Sequence, residues 1–269
     1  MERICDKLNI VDCFVSIQGE GIYAGNPSLF IRVSGCNLRC CFKGSVCDTA
    51  YSSFSPEKGI YTKDDVVKLL EQYPNVKHIV VTGGEPMLYQ KELVDLFQYI
   101  HGEYYLITIE TNGTIAPIDE MEEFVALYSI SPKLNTSIPE PNFVYQVPVN
   151  GEVTSKSFTK KECDALNEKR INIEAICKMI NQGDYQLKFV YSNEDSLKEI
   201  LEILDRIDNY METNGGFPVI STFIMLMPEG ITSEQINENG RKAVDACIEH
   251  GWVYTDRLHI RLWGDQRGY

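Results

Sequence analysis

Residues 29–49 read LFIRVSGCNLRCCFKGSVCDT, and this stretch decides how the rest of the chain is interpreted. Its first five residues are apolar apart from Arg32 and predict a buried strand. Four cysteines then fall within twelve residues, at Cys36, Cys40, Cys41 and Cys47. Thiols this dense in a reducing compartment usually hold a metal ion or an iron–sulfur cluster. The stretch therefore predicts a strand followed by a metal-binding loop.

Spacing and ligand type narrow the choice of metal. Structural zinc usually takes paired CxxC motifs or nearby histidines, and the sequence offers neither around the cysteine loop. Three thiolates on a loop would leave one iron of a [4Fe–4S] cluster free to bind a small molecule. Spacing alone favours the iron–sulfur cluster but leaves a zinc site open.

Composition indicates an ordinary soluble protein of the cytoplasm. The 269 residues are 43% hydrophobic and carry a net charge of −14, with no basic run, which argues against a general nucleic-acid binder. No signal peptide and no membrane-spanning stretch are predicted. In such a compartment cysteines seldom form disulfides. We expect the remaining five to be core or surface residues: Cys5, Cys13, Cys163, Cys177 and Cys247.

Short apolar runs alternate with helical periodicity along the chain. Strands are predicted at Leu29–Val33, His78–Thr82, Leu106–Ile109, Ala126–Ile130, Gln186–Tyr191, Val219–Met225 and Leu258–Leu262. Helices are predicted after a capping box formed by Thr62 and Asp65, and at Glu92–Ile100, Cys163–Ile180, Glu194–Ile207 and Ser233–His250. This alternation indicates an α/β fold with a mostly parallel sheet, and too few units for a closed eight-fold barrel.

We therefore expect a partial, open parallel β/α barrel. No linker divides the chain, so residues 1–269 are predicted to form a single domain with its cysteine loop at 36–49. Residues 139–160 are polar, contain three prolines and lack either periodicity, which predicts a long surface insertion.

Several motifs in order resemble the radical S-adenosylmethionine (SAM) superfamily. They are SIQGEGIYAGNPSLFIRVSGCNLRC at 16–40, CDT at 47–49, VTGGEP at 81–86, ETNG at 110–113, SPK at 131–133 and RLHIRLWGDQRGY at 257–269. More closely, the chain resembles the 7-carboxy-7-deazaguanine synthase family, with residues 139–178 matching least. The resemblance implies an open barrel of the radical SAM type that binds a [4Fe–4S] cluster and S-adenosylmethionine.

The cysteine loop departs from that family's pattern. The family shows CxxxCxxC with the third cysteine directly before Asp-Thr, whereas six residues separate Cys40 from Cys47 here. We assign Cys36, Cys40 and Cys47 as the cluster ligands because Cys47 keeps the Cys-Asp-Thr context. Cys41 is the competing third ligand.

The resemblance also implies residues that bind S-adenosylmethionine. A Gly-Gly pair after a strand indicates only a turn by itself, but in this company it implies contacts to the methionine part of the cofactor. The residues so predicted are Gly83, Gly84 and Glu85, whose carboxylate suits an ammonium group. Contacts to the nucleoside end are predicted for Ser131, Pro132 and Lys133. Asp48 is a further cofactor contact, with a loop cap or an indirect supporting group as its alternatives.

The substrate side is predicted around the first two strands. By resemblance, Ile17, Gln18 and Gly19 form the substrate segment and Thr82 contributes from a strand end. Gln18 can both donate and accept, which suits the edge of a pterin. Arg32 lies in an apolar strand and needs an anionic partner, either a structural carboxylate or the substrate carboxylate.

Metal and partners follow from the same resemblance. Thr49 is implied to help hold Mg²⁺ beside the substrate carboxylate, since a hydroxyl oxygen suits that ion. An electron donor such as a flavodoxin and a homodimer are also implied. The closing segment, with Trp263 and Tyr269, is expected to pack over the site.

The implied reaction is a radical one. A reduced cluster would cleave S-adenosylmethionine, and the resulting radical would take hydrogen from 6-carboxy-5,6,7,8-tetrahydropterin, giving 7-carboxy-7-deazaguanine with loss of ammonia. No side chain need act as the hydrogen acceptor. The alternatives are an activase that places a glycyl radical on a partner protein, and a non-catalytic zinc or electron-transfer module.

Overall fold

The computed structural model describes residues 7–42, 44–100, 104–149 and 152–269. Cys5 lies outside these ranges, as do Lys43 of the cysteine loop and residues 150 and 151 of the predicted insertion. Within them, no helix is both long enough and apolar enough to cross a membrane.

Twelve strands are defined in the described ranges. They are β1 Ile10–Ile17, β2 Pro27–Val33, β3 Cys41–Phe42, β4 Ser45–Val46, β5 His78–Gly83, β6 Leu106–Thr111, β7 Val125–Ile130, β8 Tyr145–Val149, β9 Glu152–Lys156, β10 Asp184–Tyr191, β11 Ile224–Pro228 and β12 Val253–Tyr254. Eight of them form one sheet in the order β1-β2-β5-β6-β7-β10-β11-β12. Only β1 runs antiparallel to its neighbour, and β12 does not pair with β1 among the described residues. The predicted open, mostly parallel α/β sheet is confirmed.

Helices follow the parallel strands and cover the sheet. They are α1 Ala50–Ser53, α2 Lys63–Gln72, α3 Gln90–Tyr99, α4 Lys160–Lys169, α5 Ile173–Gln182, α6 Glu194–Thr213, α7 Ser233–His250 and α8 Leu258–Trp263. The capping box predicted at Thr62 is present, with Asp65 N–H bonded to the Thr62 side chain and Asp65 accepting from Thr62 N–H.

The core lies between the sheet and its helices. Strand β5 shows why the parallel strands are apolar throughout: Ile79, Val80 and Val81 are all fully buried, since helices and neighbouring strands cover both faces. One polar row crosses this core. His78 Nδ1 lies 2.7 Å from Ser28 Oγ, and His78 Nε2 lies 2.8 Å from Thr108 Oγ1, which ties together β2, β5 and β6.

His78 makes the fold sensitive to acid. Burial lowers the pKa of His78 from 6.5 to about 4, since the charged imidazolium would be poorly solvated. The unfolded chain therefore binds the proton first, so stability falls as the pH drops from about 6.5 towards 4. We expect His78→Gln to flatten that part of the curve, in urea denaturation at a series of pH values. An unchanged pH dependence would contradict this assignment.

Three sequence predictions of secondary structure are wrong in detail. Residues 258–262 form helix α8 rather than a strand, because a five-residue apolar alternation is too short to distinguish the two. The predicted strand 219–225 begins only at Ile224, after a short 3₁₀ turn. The predicted helix 163–180 is two helices, α4 and α5, because Asn172 starts the second by accepting a hydrogen bond from Ala175 N–H.

The segment predicted as an irregular surface insertion contains a hairpin. Strands β8 and β9 pair antiparallel, and β9 is exposed along its length. Tyr145 of β8 and Phe158 beyond β9 turn inward and are buried against Cys163 of α4 and Cys41 of the cysteine loop. This second small core, formed by Cys41, Tyr145, Phe158 and Cys163, joins the insertion to the cysteine loop.

Candidate functional site

Most of the predicted site residues lie at the carboxyl edge of the parallel sheet, where β2, β5, β6 and β7 end. The predicted substrate segment is the exception, because Ile17 ends the antiparallel strand β1 and pairs with Pro27 at the start of β2. Backbone hydrogen bonds fix the start of the cysteine loop to the segment after β5. Gly84 N–H donates to Val33 O at 3.1 Å, and Glu85 N–H donates to Gly35 O at 2.8 Å. Gly35 N–H in turn donates to Ser52 O at 2.7 Å. The edge is thus a set of loops bonded directly to one another.

The cysteines of the loop divide by environment. Cys36, Cys40 and Cys47 are partly exposed, whereas Cys41 is buried in the second small core. Cys47 N–H donates to Cys40 O at 2.9 Å, which brings those two positions together despite the six residues between them. Burial raises the pKa of Cys36 to about 11 and that of Cys41 to about 12.

The donor set fits an iron–sulfur cluster, although the side chains are not closed around one point. In the described part of the chain, no three His, Cys, Asp or Glu side chains are grouped as a metal site. Three partly exposed cysteines on one loop nevertheless suit the soft irons of a [4Fe–4S] cluster. Cys41 does not suit one, because it faces the packed rings of Tyr145 and Phe158.

Gly83 and Gly84 allow two backbones to touch. A Cβ at position 84 would lie 2.0 Å from Gly35 O and 2.6 Å from Ser52 O. At Gly83, which has φ of +136°, a Cβ would lie 2.2 Å from Val33 O. The pair therefore has a structural reason that the sequence did not reveal: it packs the end of β5 against the cysteine loop.

Glu85 is fully buried and bonded within the protein. Its Oε1 accepts from Met87 N–H at 3.0 Å and from Thr111 Oγ1 at 2.7 Å, and its Oε2 accepts from Asn112 N–H at 2.8 Å. Burial raises the pKa of Glu85, and these three donors partly oppose that rise. The carboxylate therefore ties the end of β5 to the end of β6, and its contact with a cofactor ammonium group stays a prediction.

Asparagine side chains connect the cysteine loop to the turn after β6. Asn112 Nδ2 donates to Asn37 Oδ1 at 2.9 Å, and Asn37 Nδ2 donates to Thr114 Oγ1 at 2.7 Å. Asn37 directly follows Cys36, so these two hydrogen bonds fix the position of Cys36 relative to the Glu-Thr-Asn turn.

The Ser-Pro-Lys motif lies at the next strand end. Ser131 N–H donates to Thr111 O at 2.8 Å, and Lys133 Nζ lies 3.0 Å from Ser131 Oγ. Pro132 between them is buried. Burial raises the pKa of Cys40, and the positive charge of Lys133 partly opposes that rise. The motif thus brings a cation towards the cysteine loop.

The predicted substrate segment is held from several sides. Ile17 ends β1 and is half-buried, and Gln18 is buried. Gln18 Nε2 donates to Glu110 Oε1 at 3.1 Å, while Gln18 Oε1 accepts from Gly19 N–H at 2.8 Å. Gly19 O accepts from Leu258 N–H at 2.9 Å, so the start of α8 sits on this segment.

Arg32 and Thr82 project from adjacent, paired positions of β2 and β5. Arg32 Nε lies 3.2 Å from Asp12 Oδ2 and is buried without a well-directed hydrogen bond. The structural carboxylate considered for Arg32 is therefore present. Thr49 follows at the end of the cysteine loop, with its hydroxyl 3.3 Å from Cys47 Sγ.

The closing segment is attached to the protein by Arg267, although residues 265–269 are exposed and its position over the site stays a prediction. Arg267 Nε lies 2.8 Å from Asp12 Oδ1, and its Nη2 lies 2.9 Å from Glu57 Oε2. The guanidinium also stacks 3.8 Å above the ring of Tyr51. Because Asp12 is shared with Arg32, the closing segment is bonded to the wall of the predicted substrate site.

A buried ionic network was missed by the sequence analysis. Lys188 of β10 lies 2.5 Å from Glu20 Oε2 and 3.9 Å from Glu110 Oε1, and Arg257 bonds both Glu20 and Asp48. Burial by itself would raise the pKa of Glu20, but Lys188 and Arg257 lower it overall. Lys188, a lysine within a mostly apolar strand, was the one feature of the sequence that could have indicated this network.

An open, mostly parallel sheet whose second strand leads into a cysteine loop at the carboxyl edge defines a radical SAM protein. The model of the Radical SAM superfamily matches residues 30–160. The chain belongs to the 7-carboxy-7-deazaguanine synthase family. It is 35% identical to 7-carboxy-7-deazaguanine synthase of Halobacterium salinarum, over 96% of this chain and 91% of the relative.

A second relative carries the same name, and a solved structure has a similar fold. The synthase of Rhodopirellula baltica is 34% identical, over 97% of this chain and 89% of its own. The crystal structure of QueE from Escherichia coli has a TM-score of 0.59 and 19% identity, covering 94% of each chain. At that identity the structure supports the fold.

Proposed function

We propose that this chain is a radical SAM lyase that converts 6-carboxy-5,6,7,8-tetrahydropterin to 7-carboxy-7-deazaguanine with loss of ammonia, within queuosine and deazapurine biosynthesis. The observation that carries the proposal is its nearly full-length similarity to synthases of that name. Arg257 supports it further, because this one side chain bonds both Glu20, next to the predicted substrate segment, and Asp48 of the cysteine loop. The relatives do not favour a glycyl-radical activase or a zinc module.

Three side chains of the loop would hold the cluster: Cys36, Cys40 and Cys47. When bound, the cluster and S-adenosylmethionine supply the one-electron chemistry that starts removal of hydrogen from the substrate. The protein's part is to position both molecules and to exclude water. Cofactor contacts are proposed at the strand ends of β5 and β7 and on the cysteine loop: Gly83, Gly84, Glu85, Ser131, Pro132, Lys133 and Asp48.

The substrate would lie between the first strands and the closing segment. Gln18 can offer a donor and an acceptor to a pterin edge, with Ile17, Gly19 and Thr82 around it. Arg32 is the proposed clamp on the substrate carboxylate, since a guanidinium can bind a carboxylate through its terminal nitrogens while its Nε stays paired with Asp12. Thr49 would help hold Mg²⁺ beside the same carboxylate.

Location and partners complete the proposal. We place the enzyme in the cytoplasm as a homodimer that receives its electron from a donor such as a flavodoxin. Only the electron donor has support from the cysteine loop, where Cys36, Cys40 and Cys47 are partly exposed residues that a donor could approach.

An anaerobic assay with carboxypterin tests the function. Reconstituted protein should release ammonia and form 7-carboxy-7-deazaguanine only when S-adenosylmethionine and a reductant are both supplied. Omitting Mg²⁺ should slow turnover by about tenfold or more, because the ion would position and neutralise the substrate carboxylate. Product formation is followed by chromatography with mass detection.

Two results would contradict the proposal. Iron-loaded protein that cleaves S-adenosylmethionine but leaves carboxypterin unchanged is not this enzyme, and activation of a partner protein would then indicate the activase. Colourless protein that carries one zinc after anaerobic reconstitution would exclude both the lyase and the glycyl-radical activase.

A further inference from the structure

We infer that Arg257 is a positioning residue that couples the cysteine loop to the substrate segment, an inference that rests on the proposed function for its kinetic consequence. Arg257 directly precedes helix α8 and lies far along the chain from both loops. No role was predicted for it from the sequence.

The guanidinium of Arg257 uses each of its nitrogen atoms on a different segment. Nε donates to Glu20 Oε1 at 3.2 Å, in the loop between β1 and β2. Nη2 donates to Asp48 Oδ2 at 3.0 Å, directly after Cys47. Nη1 donates to Gly230 O at 2.6 Å, in the loop after β11. One side chain thus joins three loops that are distant in sequence.

The low exposure of Arg257 and Glu20 makes their ion pair costly to lose. The side chain of Arg257 is 12% exposed and that of Glu20 is 14% exposed, so water cannot readily replace the guanidinium at Glu20. Asp48 is 38% exposed, so its pair with Arg257 is more open to water. Removing one partner of a buried charged pair leaves the other charge uncompensated, which costs far more than losing an exposed pair. The contact is therefore unlike the exposed ion pairs on the helices of this protein.

Charge gives the contact a consequence for binding. Glu20 and Asp48 are both carboxylates, and each lies within ion-pair distance of Arg257. Arg257 offsets both charges, while Lys188 offsets Glu20 from the opposite side. Without Arg257 the two loops would present two undercompensated carboxylates to a substrate that is itself an anion.

Arginine is required here for its shape as well as its charge. A planar guanidinium can direct bonds to three acceptors at once, whereas a lysine ammonium on a flexible stem holds its partners less precisely. Arg257→Lys should therefore keep the charge balance but lose the connection between the loops. This separates the electrostatic effect from the geometric one.

The experiment compares the iron-loaded wild type with Arg257→Ala, Arg257→Lys and Arg261→Ala. Arg261 is the matched control, because it is one turn along in α8 and bonds Asp256 and Asn237 away from both loops. Hydrogen exchange is measured for residues 44–49 and 18–22, together with kcat and KM for carboxypterin. Iron content shows that each protein is loaded.

Arg257→Ala should speed exchange in both segments together and raise KM by about tenfold or more, with a smaller change in kcat. Arg257→Lys should recover most of the KM but not the slow exchange. Arg261→Ala should match the wild type in all three measurements. If Arg257→Ala fails to fold, Asp48→Asn should speed exchange in residues 44–49 and 18–22 in its place.

Faster exchange confined to α8, or an unchanged KM in Arg257→Ala, would overturn the inference. The proposed function fails separately, when the wild type does not turn over carboxypterin. In that case the exchange measurements still decide the coupling: simultaneous loosening of the two segments sustains it, and loosening of one alone refutes it.

Discussion

Alanine at Cys47 should abolish turnover and prevent assembly of a complete cluster, whereas alanine at its competitor Cys41 should leave both intact. Cys47 is partly exposed on the loop and bonded through its backbone to Cys40, while Cys41 is buried against Tyr145 and Phe158. A thiol that faces a packed core is not available to iron. Iron and sulfide analysis, the visible spectrum and anaerobic turnover measure the difference.

Cys36→Ala and Cys40→Ala serve as positive controls and should behave like Cys47→Ala. Cys41→Ala should show its cost elsewhere, as a loss of about 1 kcal/mol in the free energy of unfolding from the second small core. The assignment is reversed if Cys41→Ala loses its iron while Cys47→Ala keeps a full cluster.

Gly84→Ala should be the most damaging substitution outside the cysteines. The added methyl group would lie 2.0 Å from Gly35 O and 2.6 Å from Ser52 O, and backbone atoms cannot move aside as a flexible side chain can. We expect a loss of about 3 kcal/mol or more, because overpacking of this kind forces backbone shifts. The shift would displace Gly35, the residue before Cys36, so cluster content and activity should fall as well.

Gly183→Ala is the matched control for that substitution. Gly183 has an extended backbone with φ of −172°, and an added Cβ would approach nothing closer than 3.6 Å. The free energy of unfolding of Gly183→Ala should differ from the wild type by less than about 1 kcal/mol, and we expect a small increase. Chemical denaturation and iron content of the two variants decide the matter, and equal effects would show that the contact with Gly35 is unimportant.

Local patterns made much of the fold predictable. Strand β5 and helix α7 were placed closely, β5 because it is a short continuous apolar run and α7 because its apolar residues recur with helical spacing. The order of motifs after strand ends also predicted that the site lies at one sheet edge. The strand predicted at Leu258–Leu262 was wrong, because this short apolar alternation carries no capping signal that would indicate helix α8.

Contacts between distant parts of the chain could not be predicted from the sequence. Glu20, Asp48 and Arg257 carry ordinary surface-type side chains, and nothing in their neighbours shows that they meet. The orientation of Cys41 depends on Tyr145 and Phe158, which lie within the segment that lacks periodicity, and on Cys163 just beyond it. The close packing of Gly84 against Gly35 is likewise a fact of tertiary structure.

The second small core has a consequence for the order in which the molecule matures. Cys41 is held by Tyr145, Phe158 and Cys163, so the cysteine loop takes its final support from chain made roughly a hundred residues later. Contacts at such separation form late, because a long stretch must first be ordered. We therefore expect the cysteine loop to take its final conformation only after α4 has been synthesised.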